Sequence, residues 1–151
     1  MNITTKTFNE LNTQELYDIM ALRSEIFVVE QNCPYQDLDY LDQQSVHVLG
    51  RQSEKLIAYT RVVPAGLAYD DYVAIGRVVV DRKHRGQNLG YEIMKASNQL
   101  AIEQFQQSIK ISAQVYAVPF YEKLGYSVVG EEYLEDDIPH TAMILKSWVM
   151  H

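Results

Sequence analysis

The sequence predicts an α/β fold, with one mixed sheet covered by helices in a single domain. Three observations lead there. Apolar spacing alternates between strand and helix periods in the order strand, helix, three strands, helix, strand, helix, two strands. Val78-Val79-Val80 is apolar on consecutive residues, which implies a strand buried on both faces. A length of 151 residues suits one domain.

Each element has its own signal. Ile3 to Phe8 is a short, threonine-rich strand. Asn12 or Thr13 caps the first helix, and Glu15 lies three residues after Asn12, as in a capping box. Leu16, Ile19, Met20, Leu22, Ile26 and Phe27 then form one apolar face. The helix is expected to fade near Val28-Val29 and to stop before Cys33-Pro34, because a residue before proline avoids the α region. Val46 to Leu49 ends at Gly50, and a polar turn from Arg51 to Lys55 leads into Leu56 to Val63, which reads as a hairpin. A loop holding Pro64, Gly66, Asp70 and Asp71 precedes the strand Tyr72 to Val80. Leu89, Ile93, Ala96, Leu100, Ala101 and Phe105 recur at helical spacing, and Ile109 to Tyr116 returns to strand chemistry. Pro119 to Leu124 is a short helix, with proline in its first turn and Gly125 as its left-handed cap. Tyr126 to Tyr133 and His140 to Trp148 are the last two strands.

Composition narrows the function. Hydrophobic residues are 47% of the chain and charged residues 22%, which excludes a disordered chain. The formal charge of −7 disfavours a nucleic-acid binder, since phosphate contacts need clustered Lys and Arg. It mildly favours a cationic partner. No apolar run reaches the ~20 residues of a membrane span, and Met1 to Lys6 lacks the apolar core of a signal peptide. One cysteine, Cys33, excludes an intrachain disulfide and a cysteine-rich zinc site. A cytoplasmic, reducing compartment is expected. His47, His84, His140 and His151 have no metal-ligand spacing, so no metal is expected.

The stretch from Val78 to Gly90 carries the chemistry. A strand runs into a basic, glycine-containing turn that opens a helix. Such a turn aims backbone N–H groups at one spot, and the positive helix end adds to them, which suits a pyrophosphate. Arg82, Lys83 and Arg85 add positive charge. The helix does not begin Gly-Lys-Ser/Thr, and Gly86 and Gly90 do not make Gly-x-Gly-x-x-Gly, so neither nucleotide fingerprint is present. An ordinary strand-to-helix turn capped by Asn88 is the competing reading.

Arg85-Gly86-Gln87-Asn88-Leu89-Gly90 resembles the acetyl-CoA signature of the GNAT superfamily of N-acetyltransferases, Arg/Gln-x-x-Gly-x-Gly/Ala, with Asn88 where glycine is usual. Asn tolerates φ > 0 better than most residues. Pro119-Phe120-Tyr121-Glu122-Lys123-Leu124-Gly125-Tyr126 is similar to the family's Phe-Tyr-Glu-Lys-Leu-Gly-Phe segment, and Gln114 stands where Asn is frequent. Leu22-Arg23, Phe27 to Asp37, His47, Ile75 to Val78 and Glu135-Asp136-Asp137-Ile138-Pro139-His140 resemble the ElaA-type subfamily, with Asp137 in place of glycine. The resemblance spans nearly the whole chain. It implies a mostly antiparallel sheet splayed at the cofactor site, with helices on both faces.

It further implies transfer of an acetyl group from acetyl-CoA, as co-substrate, to a small-molecule or peptide primary amine. The end of the strand at Val78, Val79 and Val80 would pair with the pantetheine arm, and a backbone N–H there would polarise the thioester, a donor typically worth ~3 kcal/mol. Arg85, Gly86, Gln87, Asn88, Leu89 and Gly90 would hold the pyrophosphate, with Gln114 and Tyr121 completing the cofactor site. Tyr121 stands where the family places the acid that protonates the thiolate, and a core aromatic is its alternative. Candidates for the base, or for acceptor binding, are Glu30, His47, Glu135 and His140, beside a water chain with no dedicated base; a capping or solvated carboxylate is the favoured alternative for Glu30, and a hydrogen-bonded structural histidine that for His140. Glu131, Glu132, Glu135, Asp136 and Asp137 form an acidic cluster suited to a cationic acceptor or simply to solvent. Arg23, Arg61 and Arg77 read as substrate anchors or as ion-pair partners of Glu30, Asp39 or Asp42. Cys33 reads as a small structural cysteine in preference to a ping-pong nucleophile, since only Arg23 nearby would favour its thiolate. In relatives the final strands often pair between chains, so a homodimer is open. A non-catalytic acyl-CoA-binding module and an acyl-homoserine-lactone-synthase relative, the latter prompted by Arg23-x-x-Ile26-Phe27, are the alternatives.

Overall fold

The computed structural model describes residues 1–147. Seven strands form one sheet in the order β1 (Asn2–Thr7), β2 (Val46–Gln52), β3 (Lys55–Val63), β4 (Val73–Val80), β5 (Ile109–Gln114), β7 (Ile138–Leu145), β6 (Ser127–Glu135). Only β4 and β5 run parallel. Helix α1 (Thr13–Arg23) covers one face, and α2 (Leu89–Phe105) with the short α3 (Val118–Glu122) covers the other. Ile19, Leu22 and Ile26 meet Leu49, Leu56, Tyr59 and Val79 on the α1 side. Ile93, Met94, Ala101 and Ile102 of α2 meet Val48, Ala58, Val62 and Ile111 on the other.

The expected capping box starts α1. Asn12 Oδ1 accepts from the Glu15 amide at 2.7 Å, and Glu15 Oε1 accepts from the Asn12 amide at 2.9 Å. Glu15 Oε2 also takes Lys6 and Arg51, each at 2.7 Å, which ties the helix start to β1 and β2. The helix does not fade at Val28. It widens into a π-helical segment, Ser24–Glu30, closed by bonds five residues apart from Gln31 N to Ile26 O and from Cys33 N to Val28 O.

Other boundaries moved for local reasons. Gly50 lies inside β2 at a register shift. A Cβ there would stand 3.2 Å from Ala58 Cβ and 3.3 Å from Ile93 Cδ1, so the residue serves the close approach of α2 to the sheet rather than a strand end. β5 stops at Gln114, because a 3-10 turn over Val115–Ala117 leads into α3. The β6–β7 turn places Asp136 at φ 51° and Asp137 at φ 62°, the left-handed pair of a tight hairpin. Trp148, the expected end of the last strand, lies outside the described residues.

The feature that positions the site is the parting of β4 and β5. Their register covers only Val73 with Ile109 and Ala74 with Lys110. Beyond it β4 carries a bulge against β3, where Gly76 and Arg77 sit and Arg77 takes φ 53°. A bulge bends its strand. The ends Val78–Val80 and Ser112–Gln114 therefore stand apart. This corrects the expected burial of β4 on both faces. Val79 is buried, while Val78 and Val80 are only half-buried, because a cleft opens beside them.

Candidate active site

The cleft at the parted strands has a volume of about 710 Å³. Its walls are Val78, Val79 and Val80 of β4, the turn from His84 through the first residues of α2, Gln114 and Tyr116 after β5, and Phe27, Glu30 and Gln31 from the widened end of the first helix. On the cleft side, β4 has no strand partner past Ala74, so its polar backbone faces the opening.

The turn is built as an anion site. Asp81 donates its amide to Ile57 O at 2.7 Å, and its carboxylate lies 2.8 Å from His84 Nδ1. These bonds hold the short 3-10 turn Arg82–His84. Gly86 then takes φ 82°, and Asn88 takes φ 65°, ψ 18°. Asn88 gives no side-chain cap to α2, so the ordinary capped turn is not what forms. Its backbone adopts the left-handed form that asparagine tolerates and that glycine would otherwise supply. The first amides of the 17-residue α2 are left facing the opening without a side-chain acceptor. Leu89 anchors the turn in the core, and Gly90 lines the cleft over Phe120 and Val80. Gln87 is exposed and does not line the cleft.

Glu30 meets this turn. Arg85 grips it with Nη1 and Nη2, each at 2.6 Å, and Arg82 Nε donates at 3.1 Å. The hydrogen bond from Arg85 leads in holding the Glu30 carboxyl below its usual pKa. A carboxylate held by two guanidiniums is a weak proton acceptor, so the geometry makes Glu30 the ion-pair partner of Arg85 and Arg82 rather than the expected base.

A second pocket, of about 200 Å³, adjoins the cleft and shares Phe27, Gln31, Val78, Gln114, Tyr116 and Ile138 with it. Tyr121, Glu135, Asp136 and His140 line this pocket, together with Ser112, Tyr35, Cys33 and Arg77. Tyr121 comes from α3, which Pro119 opens and Gly125, at φ 98°, closes. Its ring packs edge-on against Phe120 and Tyr126. Burial pushes its pKa up to about 12, so it stays protonated at neutral pH and suits an acid. Ser112 was not singled out from the sequence. The alternation Ile111, Ser112, Ala113, Gln114 was its available signal, since it puts two polar residues on the open face of β5.

His47 is corrected. It is fully buried away from both cavities, with Nδ1 accepting from Tyr59 Oη at 2.7 Å and Nε2 donating to Asp42 O at 2.9 Å. Burial lowers its pKa, and both ring nitrogens are used structurally. The arginines are ion-pair partners, although Glu30 is not in their network. Arg23 binds Asp37 at 2.8 Å and Asp42 at 2.6 Å, Arg61 binds Asp39 at 2.8 Å and Asp42 at 3.0 Å, and Arg77 reaches Asp37 at 2.7 Å. This network fastens the segment 37–42 to α1, β3 and the bulge of β4. Among the described residues no cluster of His, Cys, Asp or Glu is arranged to hold a metal ion, and no helix is long and apolar enough to cross a membrane.

Comparison with known proteins decides the family. Residues 10–147 match the model of the acetyltransferase (GNAT) domain. The chain belongs to the GNAT family. Protein ElaA of Escherichia coli strain K12 is 37% identical over 140 residues, covering 89% of this chain and 90% of ElaA. The crystal structure of Escherichia coli ElaA superposes with a TM-score of 0.90 at 34% identity, over 97% of this chain and 100% of that one. An acyl-CoA N-acyltransferase from Pseudomonas aeruginosa superposes with a TM-score of 0.90 at 38% identity, over 95% and 98% of the two chains. Within the GNAT family this chain is of the ElaA type, and it is an N-acetyltransferase enzyme.

Proposed function

We propose that this GNAT enzyme moves the acetyl group of acetyl-CoA to a primary amine by direct attack while both are bound. The observation that carries this reading is the pair of contiguous cavities. One is floored by the α2 N-terminus and edged by the part of β4 that has no β5 partner, and the other holds Tyr121. The amides of Gly86 to Gly90 and the Arg85 guanidinium fit a diphosphate, and the open side of Val78–Val80 fits the amide-bearing pantetheine arm. A β4 amide polarises the thioester carbonyl. As the amine nitrogen bonds to the acyl carbon, the C–S bond breaks and the thiolate takes the Tyr121 proton. Juxtaposing the reactants supplies much of the remaining acceleration.

The small pocket fits the end of an amine, and Glu135 and Asp136 give it a negative rim suited to a cationic small molecule or peptide. Acetyl-CoA is plentiful in the cytoplasm, where the lone Cys33 thiol stays reduced. Purified enzyme incubated with a cell extract and isotope-labelled acetyl-CoA is expected to mark a defined set of amines by mass spectrometry. Labelling no greater than that without enzyme contradicts the reading.

Glu30 occupies Arg85 where the diphosphate would sit. Glu30→Gln is expected to tighten coenzyme A binding about fivefold, the ~1 kcal/mol of an exposed ion pair released. Calorimetry showing instead a tenfold weaker complex would mean that Glu30 must hold Arg85 in place for binding.

A further inference from the structure

The structure separates the candidate bases. His140 is nearly sealed into the floor of the small pocket, and its Nδ1 lies 2.7 Å from the Ile138 carbonyl oxygen. A carbonyl can only accept, so Nδ1 carries the hydrogen. In the neutral ring the lone pair is then on Nε2. Oε2 of Glu135 stands 3.4 Å from that atom. Two acceptors gain nothing from facing each other, whereas an imidazolium and a carboxylate attract. Glu135 thus gives the ring an ion-pair partner once it has accepted a proton.

The surroundings hold this arrangement. The Tyr133 ring stacks on His140 with centroids 6.2 Å apart, its hydroxyl bonds to Ser112 Oγ, and Ser112 Oγ donates to Glu135 Oε1 at 3.4 Å. The titratable groups that share the pocket with His140 or stack on it are Glu135 and Tyr133 of β6, Asp136 of the turn, Tyr116 of the 3-10 turn after β5, Tyr121 of α3, Arg77 of β4, and Tyr35 and Cys33 after the first helix. The Arg77 charge is taken up by Asp37 at 2.7 Å.

We propose that His140 Nε2 is the general base that deprotonates the acceptor ammonium, with Glu135 as its positioning residue. The proposal rests on the N-acetyltransferase reading. Nε2 takes one proton from the ammonium, and the freed lone pair attacks the acyl carbon. The second N–H proton, released as the amide forms, replaces the one Tyr121 gave to the thiolate. His140 passes its proton to water at the exposed Glu135 edge.

Long-range ¹H–¹⁵N spectra of histidine-labelled enzyme, with His140→Gln assigning the signal, test the geometry without turnover. The neutral His140 ring is expected to show hydrogen on Nδ1 and a bare Nε2, and Glu135→Gln is expected to shift the Nε2 signal. A neutral ring carrying hydrogen on Nε2 overturns the proposal. In parallel, n-propylamine, ethanolamine and 1,3-diaminopropane serve as acceptor probes. His140→Gln is expected to cut kcat/KM about 100-fold at pH 7 and to abolish the fall toward low pH, while keeping the rise in melting temperature given by coenzyme A. Activity within threefold of the native enzyme overturns the proposal. If the native enzyme acetylates none of the probes, the ring spectrum alone decides. Loss of the coenzyme A effect in the native enzyme defeats the broader reading instead.

Discussion

Tyr121→Phe is expected to lower kcat by about 100-fold or more, the usual contribution of a positioned acid, while leaving the KM for acetyl-CoA within about twofold. The change removes one oxygen and keeps the ring that packs on Phe120 and Tyr126. The fold and the cofactor cleft should therefore survive. Burial holds the hydroxyl pKa near 12, so the native residue has a proton to give across the working pH range. Rapid-mixing or steady-state assays against a labelled amine check the result. Unchanged kcat would place Tyr121 in the core alone.

The largest expected effect on stability lies elsewhere. Arg23→Ala is expected to cost about 3–5 kcal/mol, the range for breaking a buried ion pair. Arg23 has no exposed surface, and its removal strands Asp37 and Asp42, themselves nearly buried. Urea unfolding at pH 7 reads the loss, and a change below about 1 kcal/mol would contradict it. The pH dependence has a definite sign. Burial, the largest single influence, would raise the Asp39 pKa, yet the hydrogen bonds from Arg61 and the Leu41 amide and the charges of Arg61 and Arg77 together outweigh it and bring the value down to about 2. A carboxyl lowered on folding stabilises above its unfolded pKa and stops doing so as pH falls through the folded value. The Asp39 contribution is thus whole above pH ~4 and fades toward 2. The same network holds Arg77, which lines the small pocket, through Asp37, so Arg23→Ala should lose activity at temperatures where the native enzyme keeps it.

Local signals made most of the fold legible. The Asn12–Glu15 capping box, the proline and glycine bracketing Tyr121, and the shift of period at Leu89 each depend on nearby residues, and each formed as the spacing implied. The turn from Arg85 to Gly90 was legible for the same reason, down to the left-handed Asn88. Long-range pairing was not. Gly50 reads as a strand end until α2 is laid against it, and Val78 and Val80 read as doubly buried until β4 and β5 part. Asp37 emerged as the shared partner of Arg23 and Arg77 only once residues 14 and 40 positions apart met. His47 and His140 look alike in sequence. One has both ring nitrogens committed in the interior, and the other lines a pocket with Nε2 beside Glu135.

The account turns on amides at the start of α2 gripping a diphosphate, and an amide-resolved NMR titration of ¹⁵N-labelled enzyme with coenzyme A reads them directly. The predicted result is saturable shifts concentrated at Gly86, Asn88, Leu89 and Gly90 that weaken in Arg85→Ala. Shifts confined to other parts of the chain, or none at millimolar coenzyme A, would contradict it.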